Sequence, residues 1–356
     1  MIKLTDAFEH EQLELFRDPA TGLTGAVAIH STALGPSMGG LRIRRYADVE
    51  AAAVDALRLA RAMTLKNSAA GLRLGGGKAV LIDDGRWEDR EARMLAFADV
   101  VERLGGRYVT AEDVGTSPAD MDLIATRTAW VVGRSPANGG GGDPSPATAR
   151  TVFGAIEAAV RLQLDDASLA GVHVGVLGAG KVGAALVALL AEAGARVTVA
   201  DVERTRAEAC AAAAPGQVGA VAVDGFLARD LDVLAPCALG ELIAAADVAG
   251  LRCRIIAGAA NNPLVDRATA VALHDAGILY VPDFVANNGG IVHVAAEFEQ
   301  LSAEALAAQL DTCVAQVGVL LAEARERDAL PIDVAVEQAL ARVAAARAVP
   351  AAETTI

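Results

Sequence analysis

The run Val172-His-Val-Gly-Val-Leu177-Gly178-Ala179-Gly180-Lys181-Val182-Gly183 decides how the chain must fold. A short, valine-rich stretch stopped by glycine reads as a buried strand, and Ala184 to Ala193 directly behind it has helix-forming composition. Strand, glycine turn and helix start are the setting in which G-x-G-x-x-G cradles a pyrophosphate. Gly178 makes the tight turn, Gly180 lets phosphate oxygens approach the backbone, and Gly183 lets helix and strand pack closely. The whole turn, with Ala179, Lys181 and Val182, is therefore read as cofactor-binding. A second strand ends at Asp201, 23 residues after Gly178, where a carboxylate binds the adenosine ribose hydroxyls. That carboxylate repels a 2′-phosphate, which favours NAD over NADP. Of the arginines that follow, Arg204 fits a solvated helix face and Arg206 is assigned to the adenosine edge of the site.

Outward from this motif the texture is periodic. Strands near Val172–Leu177, Arg196–Ala200, Val218–Val223, Val233–Ala235, Arg254–Ala257 and Ile278–Val281 alternate with alanine-rich helical stretches, the pattern of a doubly wound parallel sheet. Upstream, residues 24 to 32 read as a strand and Asp48 to Met63 as a helix capped by Asp48. A strand at Lys78 to Ile82, a helix at Asp89 to Leu104 and a strand at Arg107 to Ala111 complete a mixed α/β region. Between the two lies Asn138-Gly-Gly-Gly-Gly-Asp-Pro-Ser-Pro146, a hinge by composition. The expected fold class is α/β in two domains, 1–140 and a Rossmann domain at 141–325. Mostly helical sequence runs from Ser302 to Ala346; its part from about 325 to 356 is expected to pack back on the first domain, with Arg347 to Ile356 frayed.

Composition bounds the function. Lysine and arginine number 31 against 45 acidic residues, a formal charge of −14 that repels phosphate backbones and anionic membranes. With 53% hydrophobic and 21% charged residues the chain is globular, and its 3% aromatic content leaves Ala, Val and Leu to fill the core. Cys210, Cys237, Cys253 and Cys313 form no C-x-x-C pair, which argues against disulfides and metal alike. The opening residues, Met1 to Asp6, lack a signal-peptide pattern, and no uninterrupted apolar run of about 18–20 residues reads as a membrane span. The expectation is a cytoplasmic protein with reduced thiols and no bound metal.

Two lysines stand out: Lys66 in Met63-Thr-Leu-Lys66-Asn67, and Lys78, which enters an apolar strand behind Gly75-Gly-Gly77. Lysine is seldom buried without a purpose, and three glycines without side chains let a substrate approach the backbone; the plainer reading is a glycine turn at a strand edge. At Thr110-Ala-Glu112-Asp113-Val-Gly115-Thr116 an acidic pair closes a buried strand. An Asp113 near both lysines, with their mutual repulsion and desolvation, makes one lysine a base near neutral pH and leaves the other to bind a carboxylate.

Eight ordered blocks now stand together: Leu34-Gly-Pro-Ser-Met38-Gly39-Gly40-Leu-Arg42, Met63–Asn67, Gly75–Lys78, Ala111–Thr116, Gly178–Gly183, Ala235-Pro-Cys237-Ala238-Leu-Gly240, Gly258-Ala-Ala-Asn261-Asn262 and Pro282-Asp-Phe-Val-Ala-Asn287-Asn288-Gly289-Gly290. In these the chain resembles the Glu/Leu/Phe/Val dehydrogenase family, closest to its leucine, valine and phenylalanine branch, over almost its whole length. The resemblance implies NAD-dependent, reversible oxidative deamination of an L-amino acid to a 2-oxo acid and ammonium, and a homo-oligomer built on a substrate-binding N-terminal domain. It also implies that the domains close across the hinge to exclude water.

By the same resemblance Lys66 binds the substrate carboxylate with backbone amides at Gly39 and Gly40, while Lys78 is the general acid/base and Asp113 works with it. Arg42, Thr148 and Asn261 match positions at the cofactor or the reacting end of the substrate, and Cys237 and Ala238 match a loop on the nicotinamide side. For Cys237 a small buried core residue is an equal alternative. Glutamate relatives carry a lysine where Met38 stands, so a glutamate side chain is disfavoured. The implied side-chain pocket, Met38, Met63, Ala111, Ile291 and Val294, is apolar. Ile291 with Val294 narrows it toward branched aliphatic substrates, with phenylalanine the runner-up and a non-catalytic NAD-binding protein the lesser alternative. Asn288 departs from the small alanine common in that branch. His293, beside the glycine pair, is read as a satisfied helix residue before a substrate ligand.

Overall fold

In the computed structural model, which describes residues 9–165, 167–238 and 240–348, contacts divide the chain into two compact units. One holds 9–142, 293–302 and 338–348; the other holds 143–292 and 303–337. The expectations for Met1 to Asp6 and for the end of the Arg347–Ile356 tail lie outside the described residues.

In the first unit β1 (Gln12–Arg17), β2 (Thr24–Ser31), β3 (Ser37–Arg44), β4 (Gly75–Ile82) and β5 (Tyr108–Glu112) form a sheet ordered β1-β2-β4-β3-β5. β1 and β4 run antiparallel to β2, while β3 runs parallel to both β4 and β5. α1 (Val49–Ala69) covers one face. Its Ala52, Ala53, Ala56 and Ala60 pack on Ala26, Ala28 and Val80, small against small, so helix and sheet approach closely. α2 (Arg90–Arg103) and α3 (Pro118–Ile124) cover the other face with Met94, Phe97, Val101, Met121 and Ile124. Asp48 caps α1 by accepting the Ala51 N–H at 2.8 Å. The helix continues past Met63 to Ala69, which places Lys66 and Asn67 on it.

The three glycines form neither a turn nor an open substrate face, contrary to both sequence readings. They are the first residues of β4, paired with β3 from Ser37 onward. Side chains alternate across a strand, and at Gly76 and Gly77 the missing ones are filled from opposite sides. A Cβ on Gly76 would lie 2.1 Å from the backbone nitrogen of Thr64 on α1, and one on Gly77 would lie 2.7 Å from the Tyr108 ring.

The second unit begins with α4 (Ser145–Gln163) and carries β6 (His173–Leu177), α5 (Lys181–Glu192), β7 (Arg196–Ala200), α6 (Arg204–Ala213), β8 (Val218–Ala220), β9 (Val233–Pro236), β10 (Ile255–Ile256), α7 (Arg267–Asp275) and β11 (Leu279–Tyr280). The strands are all parallel and ordered β11-β10-β9-β6-β7-β8. This is the doubly wound sheet that the sequence predicts, and its order reverses beside β6, the strand that leads into the glycine turn. β8, β10 and β11 are shorter than expected because their flanking residues keep single bonds to the neighbouring strand, such as Val221 N–H to Val199 C=O and Val281 N–H to Ile256 C=O, without completing a ladder.

α8 (Asp283–Ala286), α9 (Gly289–Glu299), α10 (Ala303–Glu326) and α11 (Pro331–Ala348) close the chain. α10 is long and apolar enough to cross a membrane by length and composition, but it buries Leu310, Cys313, Val317, Leu320, Leu321 and Ala324 at helical spacing and packs against α4, as a core helix does. On α11, Arg342 donates to the carbonyls of Ser68, Gly71 and Leu72, capping the C-terminal end of α1.

Two consequences are measurable. Gly76→Ala drives a methyl into the backbone of α1, where no side chain can rotate away; equilibrium denaturation should show a loss of at least about 2 kcal/mol. Beneath α1, His30 lies 2.8 Å from the Thr64 hydroxyl with the His10 ring edge-on at 4.8 Å. Burial, with the neighbouring His10 and arginine charges, pulls its pKa from 6.5 to about 4. Between those values the unfolded chain binds a proton that the folded chain refuses, so stability present above pH 6.5 is lost as pH falls. His30→Gln should remove about 2 kcal/mol of the stability difference between pH 7 and pH 5. Denaturation midpoints that fall equally in both proteins would exclude His30 as the source.

Candidate active site

Two constellations carry chemistry, one in each unit. In the first, β3 lies between β4 and β5 with Met38 opposite Gly76 and Val109, Gly39 opposite Thr110, and Gly40 opposite Ala111. Parallel register therefore brings Met38, Gly39, Gly40 and Ala111 together along one strand pair. Gly39 cannot carry a side chain, since a Cβ there would lie 1.9 Å from the Gly77 carbonyl oxygen; its next neighbour is Met63 on α1, 3.3 Å away. Lys66 follows Met63 by one helical turn and is half-buried. Tyr108 donates its hydroxyl to the Gly39 carbonyl at 2.6 Å.

Lys78 is 5% exposed, and its Nζ donates to Oδ2 of Asp113 at 2.6 Å. Asp113 belongs to the turn after β5. Its backbone N–H bonds the Thr116 hydroxyl, and the turn is fastened to β3 by Ile43 N–H to Val114 C=O. Burial lowers the Lys78 pKa, and Asp113 opposes that shift without cancelling it. Burial alone would raise the Asp113 pKa, but the Lys78 and Arg42 cations outweigh it and hold the carboxylate below its usual range. The result is a poised ammonium–carboxylate pair that can exchange a proton with a bound substrate. Arg42 also bonds Asp113 Oδ2, at 3.2 Å through Nε, and adds a positive charge that further lowers Lys78. Its partners in the first unit are thus carboxylates.

In the second unit the fingerprint glycines divide their work. Gly178 has φ +109° and sits against the Cys237–Ala238 backbone, 2.7 Å from where a Cβ would stand; a Cβ on Gly183 would lie 1.9 Å from the Gly178 carbonyl oxygen. Around Gly180 nothing lies within 4 Å of that position. The first and third glycines are demanded by packing, and the second leaves a cradle at the start of α5, where helix N–H groups face outward, so the turn fits a dinucleotide pyrophosphate. Asp201 accepts the Ala179 N–H at 2.7 Å through Oδ2 and the Glu203 N–H at 2.8 Å through Oδ1, which fixes the carboxylate at the end of β7.

The remaining residues are placed as follows. Cys237 packs under the turn, its N–H bonding Leu177 C=O at 2.7 Å, and burial pushes its thiol up to about 11. Thr148 lies against Gly290, and Asn261 accepts from the buried Asn287 at 2.9 Å. Arg206 is paired with Glu203, Arg204 with Glu208, and Lys181 with Asp143, all at exposed positions. Ile291 and Val294 are half-buried, one turn apart on α9. Asn288 is 1% exposed with neither amide atom hydrogen-bonded among the described residues. His293 donates to Gly141 C=O at 2.9 Å, the satisfied role. Among the described residues no group of three or more acidic, histidine or cysteine side chains could hold a metal.

Sequence reasoning missed Asp55, Tyr46, Tyr108 and Asn287. Asp55 left the one available signal, a lone acid inside the apolar stretch Ala51 to Ala60 apart from Arg58.

Residues 10–130 match the family model described as Glu/Leu/Phe/Val dehydrogenase, dimerisation domain, and residues 198–349 match that of Glutamate/Leucine/Phenylalanine/Valine dehydrogenase. The chain is 41% identical to leucine dehydrogenase of Bacillus subtilis, over 95% of this chain and 92% of that one. It is 43% identical to valine dehydrogenase of Streptomyces albus, over 97% and 95% respectively. Among solved structures, L-tryptophan dehydrogenase from Nostoc punctiforme superposes with a TM-score of 0.85 at 34% identity, covering 95% of this chain and 97% of that one. With its poised lysine, its parallel sheet and its glycine turn in sequence order, the chain belongs to the Glu/Leu/Phe/Val dehydrogenase family.

Proposed function

We propose that the protein is an NAD-dependent L-amino acid dehydrogenase acting on branched aliphatic substrates of the leucine and valine type, converting them reversibly to the 2-oxo acid and ammonium. The observation that carries this reading is the buried Lys78–Asp113 contact of 2.6 Å, an acid/base pair of the kind that amine–carbonyl exchange requires. Relatives named for leucine and valine support the substrate class.

The fingerprint turn and Asp201 would hold the nucleotide, which when bound accepts a hydride from the substrate α-carbon. Lys66 binds the substrate carboxylate. Neutral Lys78 takes a proton from the water that adds to the iminium carbon, and the Lys78 ammonium then returns it to the nitrogen; as the carbon–nitrogen bond breaks the hydroxyl oxygen forms the carbonyl and its proton passes to the departing ammonia, giving ammonium. Asp113 keeps Nζ oriented and holds its ammonium form during the exchange. In the first unit Met38, Met63, Ala111 and Val294 are the residues proposed to accept an apolar side chain, and with Met38 where a cation would be needed, a glutamate carboxylate has no partner there. Thr148, Asn261, Cys237, Ala238 and Arg206 are proposed cofactor-side residues; for Arg42, its place between two carboxylates makes it a support of Asp113 in preference to a cofactor ligand. The match to a dimerisation domain supports a homo-oligomer built on the first unit.

Mixing NADH, ammonium and 4-methyl-2-oxopentanoate should give ammonium-dependent loss of NADH absorbance, whereas no turnover with any branched or aromatic 2-oxo acid would leave only nucleotide binding. In the same assay Lys78→Ala should lower kcat by about 10³-fold or more with the NADH dissociation constant nearly unchanged. Asp201→Ala should weaken NAD and reduce the preference for NAD over NADP by about tenfold or more, because it removes both the ribose acceptor and the charge that repels a 2′-phosphate. Parallel kinetics with the two nucleotides decide it: an unmoved ratio would take the carboxylate out of cofactor choice.

A further inference from the structure

Beyond the Lys78–Asp113 pair, the charges of the first unit continue in a chain that ends on α1. Arg42 holds Asp113 Oδ2 through Nε at 3.2 Å and Asp55 Oδ2 through Nη1 at 3.3 Å. Asp55 Oδ2 also receives the Tyr46 hydroxyl at 2.7 Å, and Asp55 Oδ1 receives Arg58 at 2.8 Å. Arg42 and Asp55 are 17% and 15% exposed, so solvent screens them weakly, while Arg58 at 46% stands at the rim. A guanidinium is a rigid plane, so fixing Nη1 on Asp55 fixes where Nε meets Asp113.

We infer that Asp55 is a positioning residue for the reaction: through Arg42 it sets both the orientation of Asp113 and the charge that Lys78 experiences. This rests on the assignment of Lys78 as the acid/base. The elements packed against β4 bring His30 from β2, Arg42 from β3, Asp55 and Lys66 from α1, Tyr108 from β5 and Asp113 from the turn after it. Of these, Asp113, Arg42 and Asp55 carry the charges that act most strongly on Lys78. With Lys78 protonated, the inner cluster of Lys78, Arg42, Asp113 and Asp55 holds two cations and two anions and is neutral. Removing the Asp55 charge leaves that cluster positive, which favours release of the Lys78 proton and frees Arg42 to draw Asp113 away from Nζ.

Deamination needs neutral Lys78, so the acidic limb of its kcat/KM profile follows the lysine's deprotonation. Asp55→Asn should move that limb to lower pH by about half a unit and reduce kcat, with NADH binding unchanged. Arg58→Gln removes a cation from the far side of Asp55 and should move the limb the opposite way by a smaller step; its exposed position keeps it foldable. A merely structural Asp55 would lower activity or stability without displacing the limb, and a folded Asp55→Asn enzyme with the native profile overturns the inference. Should Asp55→Asn fail to fold, Arg58→Gln decides: a shift to higher pH supports the inference and an unmoved limb overturns it. Lys78→Ala, run alongside, keeps the two readings apart, since full turnover there refutes the acid/base assignment itself.

Discussion

A lysine residue 5% exposed in the middle of a sheet is the constraint around which the first unit is arranged. An isolated ammonium in that position would cost several kcal/mol, and the group would lose its proton before accepting the burial. Asp113 at 2.6 Å reduces that cost without removing it, which leaves Lys78 below the ordinary lysine range yet still able to be charged. Everything that fixes Asp113 then fixes the pair: the Thr116 hydroxyl on its backbone, the clamp of its turn on β3, and Gly40, where a Cβ would come within 2.7 Å of the Asp113 Cβ.

The glycines of the chain show that one residue type answers two different demands. At Gly76 and Gly77 the absent side chains are replaced by protein, the Thr64 backbone on one face and the Tyr108 ring on the other, so their purpose is to let α1 approach β4 and to seat the Tyr108 ring against it. At Gly180 the space stays open, as a turn that cradles a phosphate needs. Both runs look alike as letters. What separates them is the element each sits in: alternation in a strand presents glycines to two packed faces, whereas a turn at the start of a helix presents one to solvent.

That distinction marks how far the sequence could be read. The fingerprint, the doubly wound sheet and the cap at Asp48 were legible because each depends on residues within about one strand–turn–helix unit. Lys78 and Asp113 were legible as candidates, their meeting only through family resemblance, since they stand 35 residues apart and register between β3, β4 and β5 joins them. β1 and β3 were not predicted as strands. β1, whose residues are half-buried or exposed and never fully buried, lies at the sheet edge, and β3 contains a glycine pair that weakens any local strand signal.

Arg42 shows why the remainder was hidden. Its two carboxylate partners lie 13 and 71 residues away, and no local pattern distinguishes an arginine that bridges two half-buried acids from one on a strand's solvent face. The fold resolves the ambiguity by geometry: β3 sits between β4 and β5 in the sheet, and α1 lies across the face, so a residue near the end of β3 reaches both the turn after β5 and the first turns of α1. A planar guanidinium suits that place better than an ammonium would, because it donates in two directions at fixed angle and keeps its charge at any working pH. In the proposed reaction the proton can therefore move at Lys78 while the charges around it stay in place, so the exchange does not dismantle the sheet that holds the lysine.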